Sequence, residues 1–285
     1  MSGTGGLSMK IDAHHHFWIP TRGDYHWMTP DSPVLYREYL PKDLKPSLDK
    51  HRIERTVLVQ AAQTRSETDF LLGLANALEF VGGVVGWLDM DSDAFGDQFE
   101  RYRHIPKFIG LRPMLHDLED EQWILRPRVI DSLKLLAQHD FPFEFLTYTE
   151  HLPHVLKALD QVQGIRAVLD HLSKPPIKAR QMDPWKDLMS QVSKHPNVHC
   201  KLSGMVTEAD WVNWKPDDLQ PYVDHVVESF GVGRVIYGSD WPVCTQAATY
   251  DQVIGALRTM LEPSLDADGL AAVFGGNAER FYNLQ

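Results

Sequence analysis

Three consecutive histidines, His14-His15-His16, sit between the apolar stretch Ile11-Asp12-Ala13 and the aromatic pair Phe17-Trp18. So short a run in that setting reads as a strand end rather than as an appended tag. Side chains alternate along a strand, so His14 and His16 face one way and His15 the other. Two imidazoles about 7 Å apart along a strand can converge on one metal ion or one carbonyl oxygen. Asp170-His171 and Gly238-Ser239-Asp240 end two further short apolar runs. A His-x-His pair alone is a weak signal, since most buried histidines only satisfy their neighbours. His14, His16, His171 and Asp240 on three strand ends form a much stronger one. Three imidazoles and a carboxylate suit Zn2+ chemically.

The elements that would carry these residues can be read from period and composition. Eight strand candidates occur: Lys10–His14, Thr56–Gln60, Val84–Leu88, Phe108–Arg112, Pro142–Tyr148, Arg166–His171, Val198–Ser203 and Arg234–Ser239. Helical periodicity fills intervening segments such as Thr68–Phe80, Pro127–His139, His151–Val162, Trp185–His195 and Asp218–Phe230. Alternating strands and helices predict a parallel sheet. Eight repeats in 285 residues match the count and size of a closed (β/α)8 barrel, whose strand ends all open on one face. The rival is an open doubly wound sheet, but no Gly-x-Gly-x-x-Gly follows the first strand. No linker is evident, so residues 10–285 read as one α/β domain. Residues 1–9, rich in Gly and Ser, read as a loose tail or an expression remnant.

Charge and composition exclude several classes. Hydrophobic residues make up 43% and charged residues 24% of the chain, a globular mix. With 28 basic and 39 acidic residues, the net charge of −11 provides no footprint for nucleic acid or anionic lipid. No apolar run reaches the roughly 18 residues that span a bilayer. Two cysteines cannot form a disulfide framework. The N-terminus lacks a signal pattern, so the expected location is the cytoplasm.

Asp12-Ala13-His14-His15-His16-Phe17-Trp18, Gly110-Leu111-Arg112-Pro113, Leu169-Asp170-His171-Leu172-Ser173-Lys174-Pro175, Cys200-Lys201-Leu202-Ser203-Gly204 and Tyr237-Gly238-Ser239-Asp240-Trp241-Pro242 together resemble the amidohydrolase superfamily. The tail Asn277-Ala278-Glu279-Arg280-Phe281-Tyr282 fits as well. The likeness is to the lactonase branch of TIM-barrel hydrolases (amidohydrolase-related family 2), with fuconolactonases nearest in motifs. It implies that Asp240 is the general base taking a proton from water. It implies that His14, His16 and His171 bind a divalent cation or polarise a lactone carbonyl. Arg112 would hold a carbonyl or carboxylate oxygen, and Tyr148 would donate to the substrate. Binuclear members need a bridging lysine or glutamate from a middle strand. The fourth strand ends without one, and Glu144 lies too early in the fifth. At most one divalent cation is therefore expected, with Zn2+ favoured and a metal-free site as the alternative.

Other residues carry two readings. Lys201 is either an interior lysine reaching the substrate or part of a buried ion pair. Asp12, two residues before His14, either orients a histidine from deeper on the same face or serves as a structural acceptor. Trp18 and Trp27, with Trp211 and Trp214 on another loop, either stack on a sugar face or simply pack their loops. Ser239 lacks the Gly-x-Ser-x-Gly elbow of a serine nucleophile. A single arginine at a strand end favours a neutral sugar-acid lactone over a dicarboxylate. The alternatives are a pyrone-dicarboxylate lactonase, a metal-dependent decarboxylase of the same superfamily and a non-catalytic ligand-binding barrel. The expected partner is a small-molecule lactone, with no nucleic acid or membrane; a homo-oligomer is left open.

Overall fold

The computed structural model describes residues 9–284, so the expected tail lies, apart from Met9, outside the described residues. Eight parallel strands run in sequence order: β1 (Ile11–His15), β2 (Arg55–Val59), β3 (Val81–Gly86), β4 (Phe108–Leu111), β5 (Phe143–Phe145), β6 (Ala167–Leu169), β7 (Val198–Leu202) and β8 (Val235–Tyr237). Every predicted strand is present. The ring closes where Asp240 N donates to His14 O at 2.8 Å and His16 N to Trp241 O at 2.7 Å. Closure requires Gly238, because a Cβ there would lie 2.6 Å from His14 Cβ. The architecture is a single-domain (β/α)8 barrel.

β5 is shorter than the predicted Pro142–Tyr148. Its register with β4 is a single pairing, Leu111 with Phe143. Regular pairing ends at Phe145, and Leu146 lines a cavity at this end of the barrel. Outer helices α1 (Pro41–His51), α2 (Arg65–Asn76), α3 (Phe95–Tyr102), α4 (Pro127–Gln138), α5 (Leu152–Gln161), α6 (Trp185–Val192) and α8 (Pro216–Phe230) connect successive strands, with a short α7 (Met205–Glu208) after β7, and α9 (Tyr250–Leu261) follows β8. None of the helices described is long and apolar enough to cross a membrane.

Both faces of each strand are buried, which explains their near-continuous apolar composition. The larger apolar cluster lies between strands and helices and includes Cys200. A smaller one, with Ile11, Ala13, Val57, Val85, Val168 and Ile236, fills the barrel interior beneath the site. The final helices, α10 (Ala267–Ala271) and α11 (Asn277–Tyr282), flank a π turn and close that end with Phe281 and Tyr282. Asn277 Nδ2 anchors this plug to Val232 O and Val235 O, both at 2.7 Å.

β1 departs from simple alternation. Asp12 pairs with Thr56 and His15 with Leu58, so three residues on β1 match two on β2. This one-residue bulge resets the facing of side chains. Asp12 consequently does not share a face with His14. Its Oδ1 accepts from Ser239 N at 2.9 Å and its Oδ2 from Tyr250 OH, on α9, at 3.1 Å. Asp12 is a structural acceptor tying β1 to β8 and an outer helix.

Candidate active site

His14 and His16 rise from the end of β1, His171 follows β6 and Asp240 follows β8. The structure brings all four together. His14 Nε2 and His16 Nε2 are 3.2 Å apart. Asp240 Oδ1 lies 3.4 Å from His16 Nε2, 3.7 Å from His14 Nε2 and 3.8 Å from His171 Nε2. His15 points away and meets Thr56 Oγ1 at 2.8 Å.

Each group is oriented from behind. His16 Nδ1 lies 2.8 Å from Val59 O, so that nitrogen carries the proton and Nε2 keeps a lone pair. His171 Nδ1 meets Ser203 Oγ at 2.8 Å. Gly204 lets that contact form: its φ is +59, and a Cβ would stand 2.5 Å from His171 Nδ1. His14 Nδ1 has Asp170 Oδ1 at 3.5 Å and Lys201 Nζ at 3.2 Å. Lys201 already has two carboxylate acceptors, and Arg112 Nη1 approaches His14 Nε2 at 3.3 Å. The tautomer with Nδ1–H towards Asp170 satisfies the most groups and leaves the Nε2 lone pair facing the site.

A buried charge network underlies these residues. Asp170 lies 3.2 Å from Arg112 Nη1 and 3.0 Å from Lys201 Nζ, and Lys201 reaches Glu144 Oε2 at 2.7 Å. Tyr282 OH donates to the other Glu144 oxygen, and Arg112 Nη2 donates to Gln60 O. Burial opposes ionisation of Asp170, yet Lys201, His14 and Arg112 hold its carboxyl well below the usual range. Burial, then the charge of Asp170, pushes Glu144 up to about 7 against the pull of Lys201. Burial also resists a charge on Asp240, but His171, His16 and His14 outweigh it and keep this carboxyl low. Burial lowers His171 to about 4 and, with Lys201, holds His14 well below the ordinary imidazole value. At neutral pH the site thus sets an ionised Asp240 against neutral His14 and His171.

These residues form the floor of a cavity of about 310 Å³, with His16, Arg112, His171 and Asp240 at its base. Trp18, Trp27, Met28, Leu35 and Leu146 supply apolar wall. Trp18 is fixed by Nε1 donation to Arg37 O at 2.9 Å, and Trp27, at the rim, donates to Ala61 O at 2.7 Å. Two expected substrate contacts stand back from this cavity. Lys201 is fully buried in its ion pairs beneath His14. Tyr148 backs the wall, its ring 5.5 Å from that of His116 and 5.5 Å from Lys174 Nζ. Trp211 is half exposed away from the cavity, and Trp214 bonds Ala247 O. Lys174, His116, Asp117 and Gln246 do line the cavity. The sequence reading missed them because they lie in aperiodic loops; Lys174 alone left a trace, within the Asp170-His171 motif.

The donor set fits one divalent cation. His14 Nε2, His16 Nε2 and Asp240 Oδ1 are separated by 3.2 to 3.7 Å. Tetrahedral bonds of about 2.0–2.1 Å place ligand atoms roughly 3.3 Å apart. Among the described residues a second grouping, His14, Asp170 and His171, shares His14 with the first.

The family model described as Amidohydrolase matches residues 11–284. The chain is 39% identical to an L-fucono-1,5-lactonase of Burkholderia ambifaria over 98% of this chain and 97% of that protein. It is 34% identical to an L-fucono-1,5-lactonase of Burkholderia multivorans over 97% of each. A solved amidohydrolase from Burkholderia multivorans, with bound zinc, superposes with a TM-score of 0.92 at 32% identity, covering 97% of this chain and 100% of that one. The barrel, the gathered imidazoles and carboxylate at its mouth and these full-length likenesses agree: the chain belongs to the amidohydrolase family.

Proposed function

We propose that the protein is a lactonase that hydrolyses a neutral sugar-acid lactone of the L-fucono-1,5-lactone type. The observation that carries this reading is Asp240 Oδ1, ringed by three imidazole nitrogens at 3.4, 3.7 and 3.8 Å at the base of the cavity. Asp240 accepts a proton from water as the water oxygen bonds to the lactone carbonyl carbon. The Arg112 guanidinium, at the base of the cavity, faces the oxyanion that develops there. The ring C–O bond then breaks, and the departing ring oxygen takes up the proton held by Asp240. A divalent cation, held by His14, His16 and Asp240 with His171 beside them, would add Lewis-acid polarisation of the carbonyl.

Substrate charge follows from how the cations are used. The Arg112 guanidinium already serves Asp170 and Gln60 O, so it is no free clamp for a second carboxylate. The cavity is at the small end of the ~300–1,000 Å³ range of ligand pockets, which suits one sugar ring. The names of the two lactonase relatives support the same class. Assaying L-fucono-, L-galactono- and L-rhamnono-lactones beside pyrone dicarboxylate tests the proposal. Turnover of the sugar lactones is expected, and turnover confined to the dicarboxylate would overturn it.

A further inference from the structure

Lys174 enters the cavity on an unusual piece of backbone. His171, Leu172, Ser173 and Lys174 have φ values of 53, 54, 54 and 47 degrees, a full left-handed turn without a glycine. Left-handed backbone brings Cβ against the following carbonyl oxygen, so four such residues in a row are unfavourable unless neighbours hold them. The surroundings hold it: Trp185 Nε1 donates to Leu172 O at 2.7 Å, Thr147 Oγ1 to Ser173 Oγ at 3.0 Å and Lys174 N to His171 O at 2.8 Å. Strain maintained this way points to placement of side chains. The turn sends both His171 and Lys174 into the same cavity.

Lys174 Nζ donates to Glu208 Oε1, on α7, at 2.7 Å. Its other two N–H groups have no protein acceptor among the described residues. On the same cavity wall His116 Nε2 lies 3.2 Å from Asp117 Oδ1, and His116 Nδ1 is buried without a hydrogen-bond partner. The wall thus offers an ammonium with spare donors and a carboxylate, beside a buried imidazole nitrogen that has no partner. A bare ammonium facing the cavity would draw an anion. Paired with Glu208 it acts as a dipole, which suits hydroxyl groups that both donate and accept.

Resting on the lactonase reading above, we infer that Lys174 is a specificity-determining residue that donates to the ring hydroxyls of a neutral lactone, while Glu208 balances its charge and so disfavours anionic ligands. Negative selection of this kind works by withholding a charge partner from the wrong ligand.

The test unpairs the lysine with Glu208→Gln, and with Glu208→Ala as a second route. Citrate binding is read by calorimetry and lactone hydrolysis by initial rates. Citrate affinity is expected to rise about tenfold in either variant. Lys174→Met should raise KM for L-fucono-1,5-lactone tenfold or more with kcat changed less than threefold, and Lys174→Arg should restore part of that KM. The inference is overturned if folded Glu208 variants bind citrate within twofold of the parent, or if Lys174→Met lowers kcat and leaves KM intact. The citrate measurement needs no turnover. Absence of lactone hydrolysis in the parent protein would sink the lactonase reading, while the citrate result would still decide what Glu208 does.

Discussion

Replacing Asp240 with asparagine isolates the proposed base. Asp240 sits at φ +56, where asparagine is among the few residues tolerated, so the backbone should keep its course. The bond from Asp240 N to His14 O also survives, because it belongs to the main chain. What disappears is the only change that matters for proton transfer: a carboxylate becomes an amide that cannot accept the proton from water. General bases contribute about 10²–10⁴-fold. The facing imidazoles hold the Asp240 carboxyl below its ordinary range, which makes it a weak base and places the expected loss near the lower end. A fall in kcat of about 10²-fold, or ~3 kcal/mol of barrier, is therefore predicted. Acid release from L-fucono-1,5-lactone, followed with a pH indicator and corrected for spontaneous ring opening, gives the rate. Elemental analysis alongside it separates loss of the base from loss of a bound ion. A folded variant whose kcat stays within threefold of the parent would refute the role of Asp240 as base.

Three further outcomes are expected. Elemental analysis of the purified protein should find no more than one divalent ion per chain; if an ion is present, His16→Ala should bring it to background, and retention at the parent level would remove His16 from the ligand set. Lys201→Met should lower stability by about 3–5 kcal/mol, because it leaves the buried Glu144 and Asp170 carboxylates without the ammonium they share; an unchanged melting temperature would contradict this. Burial pushes the Glu67 carboxyl up from 4.5 to about 7. The native state then holds a proton that the unfolded chain has released. Stability should fall as pH rises through that window, by up to ~3 kcal/mol, and Glu67→Gln should flatten the fall in urea titrations.

The barrel and the floor of the site were legible in the sequence because they rest on local pattern. Strand-length apolar runs alternating with helical periods leave few topologies, and a closed parallel barrel gathers its strand ends on one face. That brought His14, His16, His171 and Asp240 together on paper. What the chain alone did not decide depends on neighbours from distant strands. Lys201 read equally well as a substrate contact or an ion pair until β5 and β6 placed Glu144 and Asp170 around its ammonium. The facing of Asp12 turned on a one-residue bulge, which carries no compositional mark and appears only when β1 is laid against β2. Lys174 and His116 reach the cavity through irregular backbone, where no period relates sequence position to direction. Periodicity is a property of a segment and can be read from it; the partner of a buried charge is a property of the packed barrel, and only the packed barrel determines it.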